Sequence, residues 1–205
     1  MISIVDYGVG NIYAFLNLFQ QLGISAQRSV TPESLNTATH LILPGVGHFD
    51  RAMNLFNKSG LRPKLEDLVL GKAIPIIGVC VGMQMLAEGS DEGILPGLNW
   101  IPGRVRAFTS NPDSSHLPNP HMGWNNIQPK VGAKLFANGF ADVPEFYFLH
   151  SYYFDAEEKS DIVGTSQYGI NFAAVVSRGS IHGIQGHPEK SHRWGKQLLK
   201  NFSET

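Results

Sequence analysis

Cys80 is the only cysteine in the chain, and it lies in Gly78-Val79-Cys80-Val81-Gly82-Met83-Gln84, directly after the apolar run Ile74-Pro75-Ile76-Ile77. An apolar run, a Gly-x-Cys-x-Gly turn and a helix-like stretch through Met83, Met85, Leu86 and Ala87 form the nucleophile-elbow pattern, with sulfur in place of the serine oxygen. The glycines permit a tight, strained turn that lifts the side chain out of the sheet to where a substrate reaches it. A helix beginning there aims its N-terminal N–H groups at the sulfur and favours thiolate. A lone cysteine is more often a small buried hydrophobe; the flanking glycines argue for the nucleophile.

A thiolate nucleophile needs a proton partner. In Gln185-Gly186-His187-Pro188-Glu189-Lys190-Ser191, His187 is the candidate shuttle and Glu189 the group that holds its tautomer and stabilises its charged form. Alone, a His-x-Glu pair reads as a solvated loop; together with the cysteine elbow it reads as a Cys80-His187-Glu189 set. Acyl chemistry also needs a place for negative charge. The buried run His40-Leu41-Ile42-Leu43-Pro44 ends in Gly45-Val46-Gly47, whose backbone N–H groups at Val46 and Gly47 supply one half of an oxyanion hole. The N–H of Val81, next after the nucleophile, is the natural second half. Without the other motifs, Pro-Gly-x-Gly is simply a turn.

These groups need a scaffold, and the pattern predicts an α/β one. Ile2 to Val5 reads as a first strand, and Asn11 to Leu22 as an amphipathic helix with Ile12, Phe15, Leu16 and Phe19 at helical spacing and Gly23 as its stop. Strands follow over Ile24 to Val30, Leu41 to Leu43 and Ile74 to Val79, with helices from Arg51 to Leu70 broken near Gly60. Strand–helix alternation with the nucleophile at a strand's C-terminal end implies a mainly parallel central sheet. From Trp100 onward the reading is of short β pieces: Val105 to Phe108, Phe146 to Leu149, Tyr152 to Phe154, Ile162 to Thr165, Phe172 to Val176 and Ile181 to Ile184. A helix over His192 to Phe202 closes the chain, and Ser110 to Pro120 reads as a loop.

Composition bounds the rest. With 205 residues and 42% hydrophobic content, one domain over 1–205 with a full core is expected. A net charge of −1 gives no electrostatic footprint for nucleic acid or an acidic membrane. One reduced thiol, no signal-like h-region and no long apolar run together predict a cytoplasmic, soluble protein. Gly8-Val9-Gly10 opens like a dinucleotide fingerprint, but Tyr13 stands where the third glycine belongs. His182, His187 and His192 have neither a helical nor a usual zinc spacing, so no metal and no other cofactor is expected. Trp124 and Tyr147 read either as core aromatics or as anchors at a partner interface.

The chain also resembles the class I (triad) glutamine amidotransferases, and the likeness runs end to end. It rests on Asp6-Tyr7-Gly8-Val9-Gly10-Asn11, Pro44-Gly45-Val46-Gly47, the cysteine elbow, Pro120-His121-Met122-Gly123-Trp124-Asn125, Tyr147-Phe148-Leu149-His150-Ser151-Tyr152 and His187-Pro188-Glu189-Lys190-Ser191. The cysteine and His-Pro-Glu motifs mark the superfamily. The His-Met-Gly-Trp-Asn and His-Ser-Tyr motifs are narrower and are similar to the glutaminase subunits of imidazole glycerol phosphate synthases of histidine biosynthesis.

The resemblance implies a flavodoxin-like fold and hydrolysis of L-glutamine to glutamate and ammonia by Cys80, His187 and Glu189. It further implies glutamine binding by Gly45, Gly47, Gln84, His150, Ser151 and Tyr152, and a partner interface that includes Asn11, Trp124, Tyr147 and Lys190. The implied partner is a separate (β/α)8-barrel cyclase subunit that consumes the ammonia and makes imidazole glycerol phosphate and an aminoimidazole carboxamide nucleotide. Glu88 to Leu98 and Lys190-Ser191-His192 also look like paralogs that supply ammonia for amidination of acetamido sugars in surface-polysaccharide synthesis. An inactive amidotransferase-like scaffold, the alternative of another class, is expected to have lost Cys80 or His187. Where the family usually has Phe before the histidine this chain has Gly186, which predicts looser packing behind His187.

Overall fold

The computed structural model describes residues 1–205. Strands and helices alternate through its first half, following the apolar periodicity. β1 (Ile2–Val5) is buried along its whole length, as a strand covered on both faces must be. α1 (Ile12–Gln21) buries Ile12, Phe15, Leu18 and Phe19, and Gly23 ends it in the left-handed region at φ 69°. Leu16 is partly buried and packs against the core as expected, and Leu18 joins the inward stripe. β2 (Ala26–Ser29) and β3 (His40–Gly45) follow, then α2 (Phe49–Lys58) and α3 (Arg62–Glu66), separated at Gly60 with φ 76°. β4 (Ile76–Cys80) leads into α4 (Val81–Gln84).

α4 is a correction to the expected helix, because it lasts only four residues. The segment beyond it folds back: Leu98, Asn99 and Trp100 donate their N–H groups to the carbonyls of Met85, Ala87 and Leu86. Gly97 sits so close that a Cβ there would lie 2.0 Å from the Ala87 carbonyl oxygen. The carbonyls a longer helix would use are taken, so one turn is all the helix the elbow has.

The second half holds β5 (Gly103–Ala107), β6 (His121–Asn126), β7 (Gln128–Pro129), β8 (Glu145–His150), β9 (Tyr152–Ala156), β10 (Ile162–Tyr168), β11 (Ile170–Arg178), β12 (Ile181–Ile184) and α5 (His192–Phe202). A ten-stranded sheet runs β2-β1-β3-β4-β12-β11-β10-β7, with β9 joining β11 to β5. From β2 to β12 neighbouring strands are parallel. Beyond β12 they are antiparallel. This is the predicted parallel centre with helices around it and antiparallel strands added by the C-terminal half. β6 and β8 form a separate antiparallel ribbon. No helix is long and apolar enough to cross a membrane.

Candidate active site

Strand register builds the site. Gly45 lies opposite Cys80 in the β3–β4 pair, and Ile184 lies opposite Val79 in the β12–β4 pair. Three adjacent parallel strands therefore end at one level, and the loops that leave them gather at the carboxyl edge of the sheet, where α/β sheets bind ligands. A cavity of about 360 Å³ opens there, with Val46, Gly47, Cys80, Val81, Gln84 and His187 in its walls.

The elbow is strained at the cysteine itself. Cys80 adopts φ 55° and ψ −114°, a conformation that L-residues avoid. The flanking glycines serve close approach instead. A Cβ on Gly82 would lie 1.9 Å from the Leu43 carbonyl oxygen, and one on Gly45 would lie 2.3 Å from the Gly82 nitrogen. Gly45 thus lies under the elbow and is absent from the cavity wall, whereas Gly47, at φ 80°, forms part of it. Beneath the loop, the Tyr7 hydroxyl donates to the Pro44 carbonyl at 2.7 Å. Burial, and then the charge on Cys80, push the Tyr7 phenol far up, so it stays neutral.

His187 and Glu189 meet as predicted. His187 Nδ1 is 2.9 Å from Glu189 Oε1, with both side chains almost wholly buried. Burial works against charge on this imidazole, but the Cys80 sulfur and the Glu189 carboxylate outweigh it and push its pKa up to about 10. Ser191, to which no role was given from sequence, ties the loop down: its hydroxyl donates to the His187 carbonyl at 2.6 Å and accepts from the Tyr147 N–H at 3.0 Å. Gly186 corrects the expectation of looser packing. A Cβ there would lie 3.1 Å from Phe146 Cβ, so β8 has closed on the position, and Phe146 and Phe148 are fully buried beside it.

The other predicted positions divide. Gln84, His150, Ser151 and Tyr152 all reach the cavity wall. The His150 ring is nonetheless committed to the protein: Nδ1 lies 2.8 Å from the Tyr152 carbonyl and Nε2 lies 2.9 Å from His121 Nδ1. Burial pushes its pKa down to about 3, so the ring is neutral. Gln84 gives its amide nitrogen to the Tyr152 carbonyl at 3.3 Å and to Gln185 Oε1 at 3.1 Å. Trp124 is half-exposed and pairs across the ribbon with Tyr147, while Lys190 lies 5.6 Å over the Tyr147 ring. Asn11 is exposed at the start of α1, with no bond to those three.

Sequence reasoning missed three residues here. Gln185 is fully buried and places its amide nitrogen 3.8 Å from the Cys80 sulfur; it stood in plain view, two positions before the histidine. Glu92 reaches the cavity wall, as Lys190 does, while accepting the Phe49 N–H at 2.7 Å; nothing in its loop sequence marks it. His121 belongs to the His-Met-Gly-Trp-Asn motif, and nothing in that run marks its ring as a partner of His150. No group of three or more His, Cys, Asp or Glu side chains is arranged to hold a metal.

A mixed sheet with a cysteine elbow, a His-Glu pair in the loop that follows the next strand and a glycine loop beside them defines the amidotransferase class. The glutamine amidotransferase class-I family profile matches residues 3–205. The chain belongs to that family. It is 50% identical to the imidazole glycerol phosphate synthase subunit HisH of Bdellovibrio bacteriovorus, with both chains covered completely. It is 47% identical to the protein of the same name from Leptospira interrogans over 99% of each. A solved glutamine amidotransferase superposes with a TM-score of 0.76 at 16% identity, covering 100% of this chain and 98% of that one, a likeness of fold.

Proposed function

We propose that the chain is the glutaminase subunit of an imidazole glycerol phosphate synthase. The observation that carries the chemistry is the register of β3, β4 and β12, which brings Cys80, the Val46–Gly47 loop and His187, backed by Glu189, to one cavity. In this reading Cys80 thiolate attacks the side-chain carboxamide carbon of L-glutamine, and N–H groups of Val46, Gly47 and Val81 receive the oxyanion. His187, charged at rest, passes its proton to the departing ammonia and leaves a glutamyl thioester on Cys80. The neutral ring then takes a proton from water, which attacks the thioester; glutamate leaves and the thiolate returns. Glu189 holds His187 by Nδ1, leaving Nε2 for the reaction.

The cavity suits an amino-acid substrate. Glu92 and Lys190 set a carboxylate and an ammonium on its walls, complementary to the α-ammonium and α-carboxylate of glutamine. Because the His150 ring is spent internally, its part in binding falls to its backbone. Relatives named as subunits of imidazole glycerol phosphate synthase, matching the whole chain at up to 50% identity, support a synthase partner as the ammonia acceptor. That partner is a separate (β/α)8-barrel cyclase docking on Asn11, Trp124, Tyr147 and Lys190, and Gln84, Ser151 and Tyr152 complete the glutamine pocket.

A diazo-ketone analogue of glutamine tests the reading. It is expected to add once per chain, at Cys80, and glutamine is expected to protect. Labelling that glutamine does not slow would show a reactive thiol without a glutamine site.

A further inference from the structure

The hydrogen bonds behind the nucleophile form one continuous line, and its direction is fixed at a single point. The Tyr152 carbonyl accepts twice, from His150 Nδ1 at 2.8 Å and from Gln84 Nε2 at 3.3 Å. A carbonyl has no proton to give, so both partners must donate, and each arm inherits a polarity.

Along one arm, Gln84 Nε2 also donates to Gln185 Oε1 at 3.1 Å, which leaves Gln185 Nε2 as the donor facing the Cys80 sulfur at 3.8 Å. Along the other, His150 is protonated at Nδ1 and neutral, so its Nε2 accepts from His121 Nδ1 at 2.9 Å. His121 Nε2 must then accept, and Asn125 Nδ2 donates to it at 3.2 Å. The amide of Asn125 is fixed from outside, because its nitrogen donates to the Gln167 carbonyl at 2.9 Å and its oxygen accepts the Asn126 N–H. Every donor meets an acceptor from β6 to the sulfur. His121, Gln84, His150 and Gln185 are all buried, where a broken link would strand a polar group.

The sulfur has a second neighbour of opposite character. The Leu149 carbonyl lies 3.9 Å away and suits a thiol, whereas the Gln185 N–H suits a thiolate. Leu149 and His150 are adjacent on β8, paired with Met122 and His121 of β6. The ribbon therefore holds the sulfur's carbonyl neighbour directly and reaches its amide donor through Tyr152.

We propose that Gln185 is a further catalytic residue, donating a hydrogen bond to the Cys80 sulfur, and that His121 is a positioning residue that aims this donor through His150, the Tyr152 carbonyl and Gln84. The gain is chemical in both half-reactions. Acylation starts from sulfur carrying negative charge, and thioester hydrolysis returns that charge when the carbon–sulfur bond breaks. This rests on Cys80 being the glutaminase nucleophile, so the test includes a readout that needs no glutamine.

Cys80 is the only cysteine in the chain, so the rate of iodoacetamide alkylation at neutral pH reports its sulfur alone. Gln185→Leu is expected to slow alkylation about tenfold, the low end for a hydrogen bond to a charged group. His121→Leu is expected to slow it about threefold to fivefold, and His121→Asn, whose amide nitrogen replaces the Nδ1 donor, to restore it within about twofold. In the unsubstituted protein, nitrogen-15 spectra of labelled histidines should show His121 and His150 both protonated at Nδ1, which tests the relay even if His121→Leu fails to fold. An Nε2–H tautomer at either ring, or unchanged alkylation in Gln185→Leu, overturns the proposal. Absence of glutamine turnover by the subunit with its partner, with the tautomers and alkylation rates as expected, would instead overturn the glutaminase reading and leave the relay standing.

Discussion

At the scale of single residues, His187 owes its charge to its surroundings. Burial alone would neutralise it, and the sulfur on one side and the Glu189 carboxylate on the other lift its pKa from 6.5 to about 10. A value higher in the folded than in the unfolded chain means that protonation favours folding. That contribution is complete below about pH 6.5 and drains away as pH rises toward 10. Glu189→Gln removes one of the charges, so histidine NMR should show the His187 titration moving downward, and stability should fall less between those limits than in the wild type. Rates should separate the two roles: His187→Asn removes the proton shuttle and should lose about 10²–10⁴-fold in glutamine turnover, with Glu189→Gln losing less. An imidazole already neutral at pH 7 would contradict this account. The nucleophile and its pair were legible because chemistry confines them to a few residue types beside glycine and proline. Glu92 was not, since a carboxylate in an irregular loop reads the same whether it faces water or a cavity.

At the scale of elements, the elbow depends on contact between backbones. Gly82 allows α4 to lie against the end of β3, and a Cβ placed 1.9 Å from the Leu43 carbonyl oxygen has nowhere to go. Gly82→Ala should therefore lose at least about 2–3 kcal/mol in urea unfolding, as overpacked cores do. Gly60→Ala, with φ 76° but no atom within 4 Å of the added Cβ, should lose only about 1 kcal/mol for its left-handed backbone. Equal stabilities would show that β3 and the elbow can part freely. Sequence pattern located β1, β12 and α5 to the residue, because each is buried or amphipathic over its whole length. It missed β6, His121–Asn126, whose inward positions carry His, Gly and Asn in place of apolar side chains. It also overextended α4, whose end is imposed by a returning segment that no local pattern reveals.

At the scale of the molecule, the reactive edge faces outward among apolar side chains. Val46, Met122, Trp124 and Leu149 are all exposed large hydrophobics, more than a catalytic mouth needs and well suited to a docked partner. Gly47 sits at φ 80° and glycine takes either sign of φ at little cost, so the Val46–Gly47 peptide can adopt either orientation. If the partner favours the orientation with an N–H in the cavity, its binding should raise glutamine hydrolysis by about 10²–10³, the worth of one oxyanion donor. Equal turnover with and without the partner would show that the hole is already formed.

One substitution separates a role for Cys80 in making ammonia for another subunit from any part in folding or docking. In the complex of Cys80→Ala with its synthase subunit, product formation is measured once from glutamine and once from ammonium salts. An ammonia-making Cys80 requires that glutamine-dependent synthesis be abolished while ammonium-dependent synthesis runs at the unsubstituted rate. Synthesis from glutamine that survives the substitution, or loss of both activities together, would contradict it.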